Sequence, residues 1–231
     1  WVLSRYADIK AALDHESLGN RPSRFSTLHP SKADRFVCAN LANNILPFLD
    51  GPTHKEHRRH IAKVFTKEMK AIVPQLDALA QEAVADLPLE FEVIEDLGHP
   101  FAIKVICTIL GIPVEPRLRD WSSSFIYLFT QIPSAEVREK IDEHLTQFRD
   151  WLRDHLKGDN LTGVIAGLAE LVNSGELSGI VAIDSMILLF ADGLENVDSG
   201  IGTAVLLFEQ HPEQWQKLRD DESFLATAPA E

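Results

Sequence analysis

His54 and Arg58 stand four residues apart in the stretch Asp50-Gly51-Pro52-Thr53-His54-Lys55-Glu56-His57-Arg58-Arg59-His60. On a helix that spacing puts both side chains on one face, where two N–H donors can grip one anionic group. The arginine supplies a planar fork suited to a carboxylate. Thr53, with Glu56 three residues on, reads as the capping box that starts this helix. Between Gly51 and Lys70 lie Lys55, Arg58, Arg59, Lys63, Lys67 and Lys70, opposed only by Glu56 and Glu68. Such a face can attract an acidic protein partner, or it can be a solvated basic surface. His54, His57 and His60 recur every third residue, but the residue after His54 is Lys55 rather than the glutamate of the zincin pattern. No metal site is expected there.

A second group of polar residues interrupts an apolar helix pattern. In Asp184-Ser185-Met186-Ile187-Leu188-Leu189-Phe190-Ala191-Asp192-Gly193-Leu194-Glu195-Asn196-Val197-Asp198-Ser199-Gly200, the residues Asp184, Asp192, Glu195, Ser199 and Gly202 share one arc at about 100° per residue. Gly193, Asn196 and Gly200 lie beside it. Unpaired polar groups inside an apolar helix are costly, and a helical glycine costs about 1 kcal/mol relative to alanine. The pattern fits a local opening where a ligand approaches the backbone. It fits equally a helix whose acids face solvent or pair with an arginine elsewhere.

The elements that must carry these groups are helices. Of the 231 residues 45% are apolar, enough for a sizeable core. Helical periodicity runs over about 8–13, 53–70, 72–85, 100–110, 115–130, 134–156, 161–173 and 180–210, and His211-Pro212-Glu213 opens a last helix ending near Arg219. Trp1-Val2-Leu3 can form an edge strand, and Phe91-Glu92-Val93-Ile94 a short strand or the lead into a helix. Residues 19–50 are irregular, with Gly19, Pro22, Pro30 and Pro47 as punctuation. No alternating strand–helix units are visible, which argues against a doubly wound α/β fold. The apolar run from Ile180 to Ala191 is too short to span a bilayer. The net charge of −13 argues against broad binding to nucleic acid or to an anionic membrane. Two cysteines, Cys38 and Cys107, cannot frame a disulfide scaffold, so a reducing, cytoplasmic setting is expected.

Four stretches in collinear order resemble the bacterial-type, soluble cytochrome P450 family over nearly the whole chain. Asp50 to Arg59 resembles its D-P-P-x-H-x-x-x-R-R signature. Pro100 to Pro113 resembles the helical segment ending in G-[IV]-P. Ala191 to Asn196 resembles the A-G-x-[DE]-T groove that binds oxygen. His211-Pro212-Glu213-Gln214, with Leu218-Arg219, resembles the H-P-[DE]-Q opening of the family's helix J. Trp1 to Ile9 looks like the early strand and following helix. The resemblance implies a mainly α, P450-like helical fold with minor β, incomplete, in which residues 1–231 form one partial domain from the early strand region through helix J. The family's E-x-x-R motif and its haem-ligating Cys loop would lie beyond Glu231.

By resemblance, the cofactor of the full-length protein is haem. His54 and Arg58 match the pair that holds a haem propionate, and Gly193 the groove glycine. Glu195 matches the acid of the proton-delivery pair. The basic helix 53–70 matches the docking surface for a ferredoxin-like or flavodoxin-like electron donor. Asp192 stands where the family has Ala or Gly, and Asn196 where it has a Thr that helps deliver protons. Asn can hydrogen-bond but has no hydroxyl to donate. Asp192, Glu195 and Asn196 are the expected catalytic positions. The implied activity is insertion of one oxygen atom from O2 into an apolar small molecule. Phe125-Ile126-Tyr127-Leu128-Phe129, with Leu188, Leu189 and Leu194, are candidate pocket lining or ordinary core. The alternative is a non-catalytic P450-like helical protein that binds a ligand or partner.

Overall fold

Apolar side chains recurring every three to four residues make nearly every regular element a helix that buries one stripe. The computed structural model describes residues 2–15, 17–19, 36–85, 87–130 and 134–227, without the side chains of Cys38 and Ala226. Among them the helices are α1 (Tyr6–Leu13), α2 (Val37–Ala42), α3 (Gly51–Ile72), α4 (Leu76–Ala85), α5 (His99–Leu110), α6 (Leu118–Phe125), α7 (Ala135–Leu156), α8 (Gly163–Asn173), α9 (Gly179–Gln210) and α10 (Pro212–Asp220). The mainly α class is borne out. No strand forms among the described residues, so the minor β component has no counterpart there.

The boundaries follow local chemistry. Thr53 is not the cap of α3, because the helix already begins at Gly51. The Asp50 carbonyl accepts from the amide of His54 at 3.3 Å, and its carboxylate accepts from the Gly51 amide at 2.9 Å. Pro52 has no N–H and fits a first turn. The helix expected over 72–85 is broken by a 3-10 turn, Val73–Gln75, where Pro74 cannot donate. Phe91 to Ile94 is no strand. Glu92 accepts from the amides of Ile94 and Glu95 at 2.8 and 2.9 Å and starts a π-helical turn, Val93–Gly98, that feeds α5. Val2 and Leu3 are not in a strand either, and Trp1 lies outside the described residues. Within the stretch read as irregular, α2 and a 3-10 turn at Leu46–Phe48 form, while residues 20–35 lie outside the description.

The chain divides into two compact units, Trp1–Ile72 with Cys107–Ala191, and Val73–Ile106 with Asp192–Glu231. In the first, α7 buries Ile141, Leu145, Phe148 and Leu152 along one stripe. Phe148 stacks on Trp121 of α6 at 5.3 Å and meets Phe190 of α9 edge-on at 5.6 Å. Each such buried side chain contributes about 1.5–3 kcal/mol. α3 lies on α8 so closely that a Cβ on Gly167 would fall 2.6 Å from Val64. At the end of α5, Gly111 has φ +73° and a Cβ there would sit 1.8 Å from the Thr162 carbonyl oxygen, so only glycine fits.

One charged residue breaks the α7 stripe. Arg149 is 7% exposed and faces Asp184 of α9, which is fully buried. Its Nε donates to Oδ1 at 2.7 Å and its Nη2 to Oδ2 at 2.6 Å. Nη2 also donates to Asn40 Oδ1 at 3.0 Å, and Asn44 Nδ2 donates to Asp184 Oδ2 at 2.7 Å. Of the two fates open to Asp184 from sequence, pairing with an arginine is the one observed.

In the second unit, α4 and α5 are joined by Lys104 and Glu82 at 2.5 Å, and α9 and α10 by Phe208 on Trp215 at 5.0 Å. The 192–202 stretch of α9 lies against the π-turn and α5. A Cβ on Gly193 would fall 2.6 Å from Ile106 Cδ1, and one on Gly202 2.4 Å from Ile94 Cδ1.

Removing one partner of a buried ion pair strands the other charge, at a cost of about 3–5 kcal/mol. Arg149→Met should therefore lower the urea midpoint strongly, and Arg149→Met with Asp184→Leu should recover much of the loss. Equal losses in single and double variants would contradict this account.

Candidate functional site

α3 is unbroken across the first candidate pair. His54 is half-buried and Arg58 exposed, one helical turn apart. Neither side chain has a hydrogen-bond or ion-pair partner among the described residues. Lys55, Arg59, Lys63, Lys67 and Lys70 are exposed too. Lys67 lies 3.3 Å from Glu68, and Arg59 donates to His60 Nε2 at 3.2 Å. The helix thus offers two adjacent, unengaged N–H donors beside a surface of one sign. That donor set suits a carboxylate such as a haem propionate.

The three histidines of α3 do not converge. His60 is buried, with Nδ1 3.9 Å from Glu176. His57 is half-buried, and its Nδ1 is buried with no hydrogen-bond partner. Burial lowers the His57 pKa most, the Glu56 charge raises it, and His60 lowers it further. No metal-holding cluster of His, Cys, Asp and Glu exists among the described residues.

The second candidate group falls within a turn and a half of α9. Asp192 and Glu195 are exposed and have no partner among the described residues. Protein packed around the Asp192 carboxyl raises its pKa although part of the side chain still meets solvent. Glu195 is raised as well, by burial first and then by the charges of Asp192 and Asp198. Asn196 turns back on its own helix, its Nδ2 donating to the Asp192 carbonyl at 2.8 Å. The space beside Gly193 is taken by Ile106. His54 and Arg58 belong to one compact unit and Asp192, Gly193, Glu195 and Asn196 to the other.

Two neighbours of this group, Asp198 and His99, were not among the expected site residues. Asp198 follows Glu195 by three residues, and its Oδ2 lies 3.1 Å from His99 Nδ1 at the start of α5. Ser199 Oγ donates to the other Asp198 oxygen at 3.2 Å. A third acid in the i, i+3 series and a histidine opening the next apolar helix were the signals available. Arg149 was missed likewise, although a cation inside an apolar stripe asks for an acid.

The proposed pocket-lining residues separate by burial. Phe125, Leu128, Leu188 and Leu194 are core residues, while Ile126 and Phe129 keep 38% and 46% of their surface. Phe129 stacks on Phe48 at 5.0 Å. Cys107 is buried in α5, and burial pushes its thiol up to about 12, so it stays protonated and is no thiolate ligand. Cys38 has no described side chain. Among the described residues no helix is long and apolar enough to cross a membrane.

The raised carboxyls set a pH dependence. The folded chain holds the Asp192 and Glu195 protons more tightly than the unfolded chain does. That stabilises the fold below the ordinary carboxylate range and is lost as pH rises through the folded values. Asp192→Asn should raise the urea midpoint at neutral pH and leave it unchanged in strong acid. A lower neutral midpoint would show that the carboxylate is engaged favourably.

No family model matches the chain. It is 26% identical over 226 residues to the 20-oxo-5-O-mycaminosyltylactone 23-monooxygenase of Streptomyces fradiae, covering 94% of this chain and 51% of that protein. It is 25% identical over 228 residues to cytochrome P450 GfsF of Streptomyces halstedii, covering 96% of this chain and 54% of that one. The chain thus spans about half the length of the curated relatives it matches. The structure of P450BioI in complex with a hexadec-9Z-enoic acid ligated acyl carrier protein aligns with a TM-score of 0.79 at 23% identity, over 97% of this chain and 59% of that one. Over nearly its whole length the chain is similar in sequence to bacterial cytochrome P450s, and it has the helical fold of their solved structures.

Proposed function

We propose that the complete protein is a haem-thiolate monooxygenase that inserts one oxygen atom from O2 into an apolar small molecule, with electrons from a redox partner. The observation that carries this reading is the His54–Arg58 pair, two donors held one turn apart with no anionic partner among the described residues. Haem with an axial thiolate supplies the oxygen-activating chemistry when bound.

The residues of this chain bind, orient and handle protons. Arg58 would hold a haem propionate through its guanidinium, and His54 would donate to it from the adjacent turn. Glu195 holds a proton more readily than an ordinary carboxyl, which suits a general acid working nearer neutrality. Asp192, one turn earlier, keeps that affinity high through its charge. Asn196 fills the place of a hydroxyl donor, but its amide is committed to the Asp192 carbonyl. Proton handling therefore falls to the two carboxyls. The exposed cations of α3 form the docking surface for an acidic ferredoxin-like or flavodoxin-like donor in a cytoplasmic setting.

A second reading, a non-catalytic P450-like protein that binds a ligand or partner, draws on the Asn196–Asp192 bond and on the lack of a hydroxyl at that turn. The complete protein decides between them. Under the monooxygenase reading, its coding sequence should supply Glu-x-x-Arg and a Gly-flanked Cys after Glu231. The reduced, carbon-monoxide-bound form should show the red-shifted Soret band of a haem thiolate. Folded, haem-loaded protein without that band would favour the second reading.

A hydrogen bond to a charged group is worth about 1.5–3 kcal/mol. Arg58→Ala should thus speed haem transfer to apomyoglobin by roughly tenfold or more, and unchanged transfer would remove Arg58 from the role. Lys63→Glu with Lys67→Glu should weaken donor binding most at low ionic strength. Equal weakening at high salt would point to misfolding rather than lost steering.

A further inference from the structure

α5 and the second part of α9 meet through small and apolar residues and through a polar contact between His99 and Asp198. His99 and Asp198 are nearly enclosed, their side chains 12% and 15% exposed. Gly98, just before His99, is packed against Asp198, and a Cβ there would lie in ordinary contact 3.5 Å from the Asp198 Cα and Cβ. An ionised carboxylate only accepts, so the 3.1 Å contact places the proton on His99 Nδ1. The other ring nitrogen, Nε2, is buried without a hydrogen-bond partner, so among the described residues the polar contact of the ring is the one to Asp198.

Asp198 stands one turn after Glu195 on α9, and its charge is one of the two that bear on Glu195. The other is Asp192. The groups that face Asp198 are His99 from α5 and Ser199 from α9 itself. No cation answers Glu195 directly among the described residues.

We infer that His99 is a positioning residue for the acid face of α9: its bond to Asp198 fixes the turn that carries Glu195 and draws off part of the negative field Glu195 would otherwise feel. The inference rests on the proton-handling role given to Glu195, but its physical content is the coupling of three side chains. Without His99, the Asp198 carboxylate keeps its charge and loses its main donor, so Glu195 holds its proton more tightly. Without the Asp198 charge, Glu195 releases its proton more readily. An asparagine at 99 can present an amide N–H near the place of Nδ1 and keep the bond.

The test uses the complete natural protein labelled with 13C at the glutamate side chains, with the Glu195 signal assigned by Glu195→Gln. The midpoint of Glu195 should rise by roughly half a pH unit in His99→Phe and fall by a similar amount in Asp198→Asn. It should return close to the parent value in His99→Asn. Amide exchange of residues 195–199 should quicken by roughly tenfold in His99→Phe, and not in His99→Asn. A Glu195 midpoint unmoved in both His99→Phe and Asp198→Asn overturns the inference. So does faster exchange in His99→Asn equal to that in His99→Phe. Neither readout needs turnover, so a protein with no monooxygenase activity could still show the coupling, and an active one could lack it.

Discussion

The fold depends first on a guanidinium and a carboxylate removed from water together. Arg149 and Asp184 would each be intolerable alone in a core of leucine, isoleucine and phenylalanine. Joined by two hydrogen bonds and completed by Asn40 and Asn44, they tie α2, α7 and the first part of α9 into one unit. A purely apolar contact would allow α9 to slide or rotate on α7 at little cost. A bidentate pair has one register.

α9 carries a second polar tether further along, in the other unit, where Asp198 meets His99. Between the two tethers come Asp192 and Glu195, which no cation in the described residues neutralises. The division of labour is chemical. Acids with partners hold the helix in place, and acids without partners keep raised proton affinities and stay open to solvent. Gly193 and Gly202 serve the same placement by letting Ile106 and Ile94 reach the α9 backbone.

Much of this was readable in the residue order. Periodicity located α3, α5, α7, α8 and α9 to within a few residues, because each buries a long apolar stripe and stops at glycine, proline or a polar turn. The exposed cations of α3 and the turn shared by Asp192, Glu195 and Asn196 follow from helical spacing alone. What stayed hidden depends on contacts between residues far apart in the chain. Nothing near Arg149 announces Asp184, and nothing near His99 announces Asp198. The start of α3 was misplaced for a local reason: the first helical bond runs from the His54 amide to the Asp50 carbonyl, which puts Pro52 and Thr53 inside the first turn. The direction of the Asn196 amide was equally out of reach, since an amide can serve a ligand or its own helix.

Cys107 carries a consequence of its own. A thiol whose proton is held to about 12 offers almost no sulfur anion to peroxide or to alkylating reagents near neutral pH. This sulfur is shielded from oxidation by protonation as well as by burial. A maleimide or iodoacetamide applied to the folded protein would pass Cys107 by, and would report on whatever other sulfur the polypeptide presents.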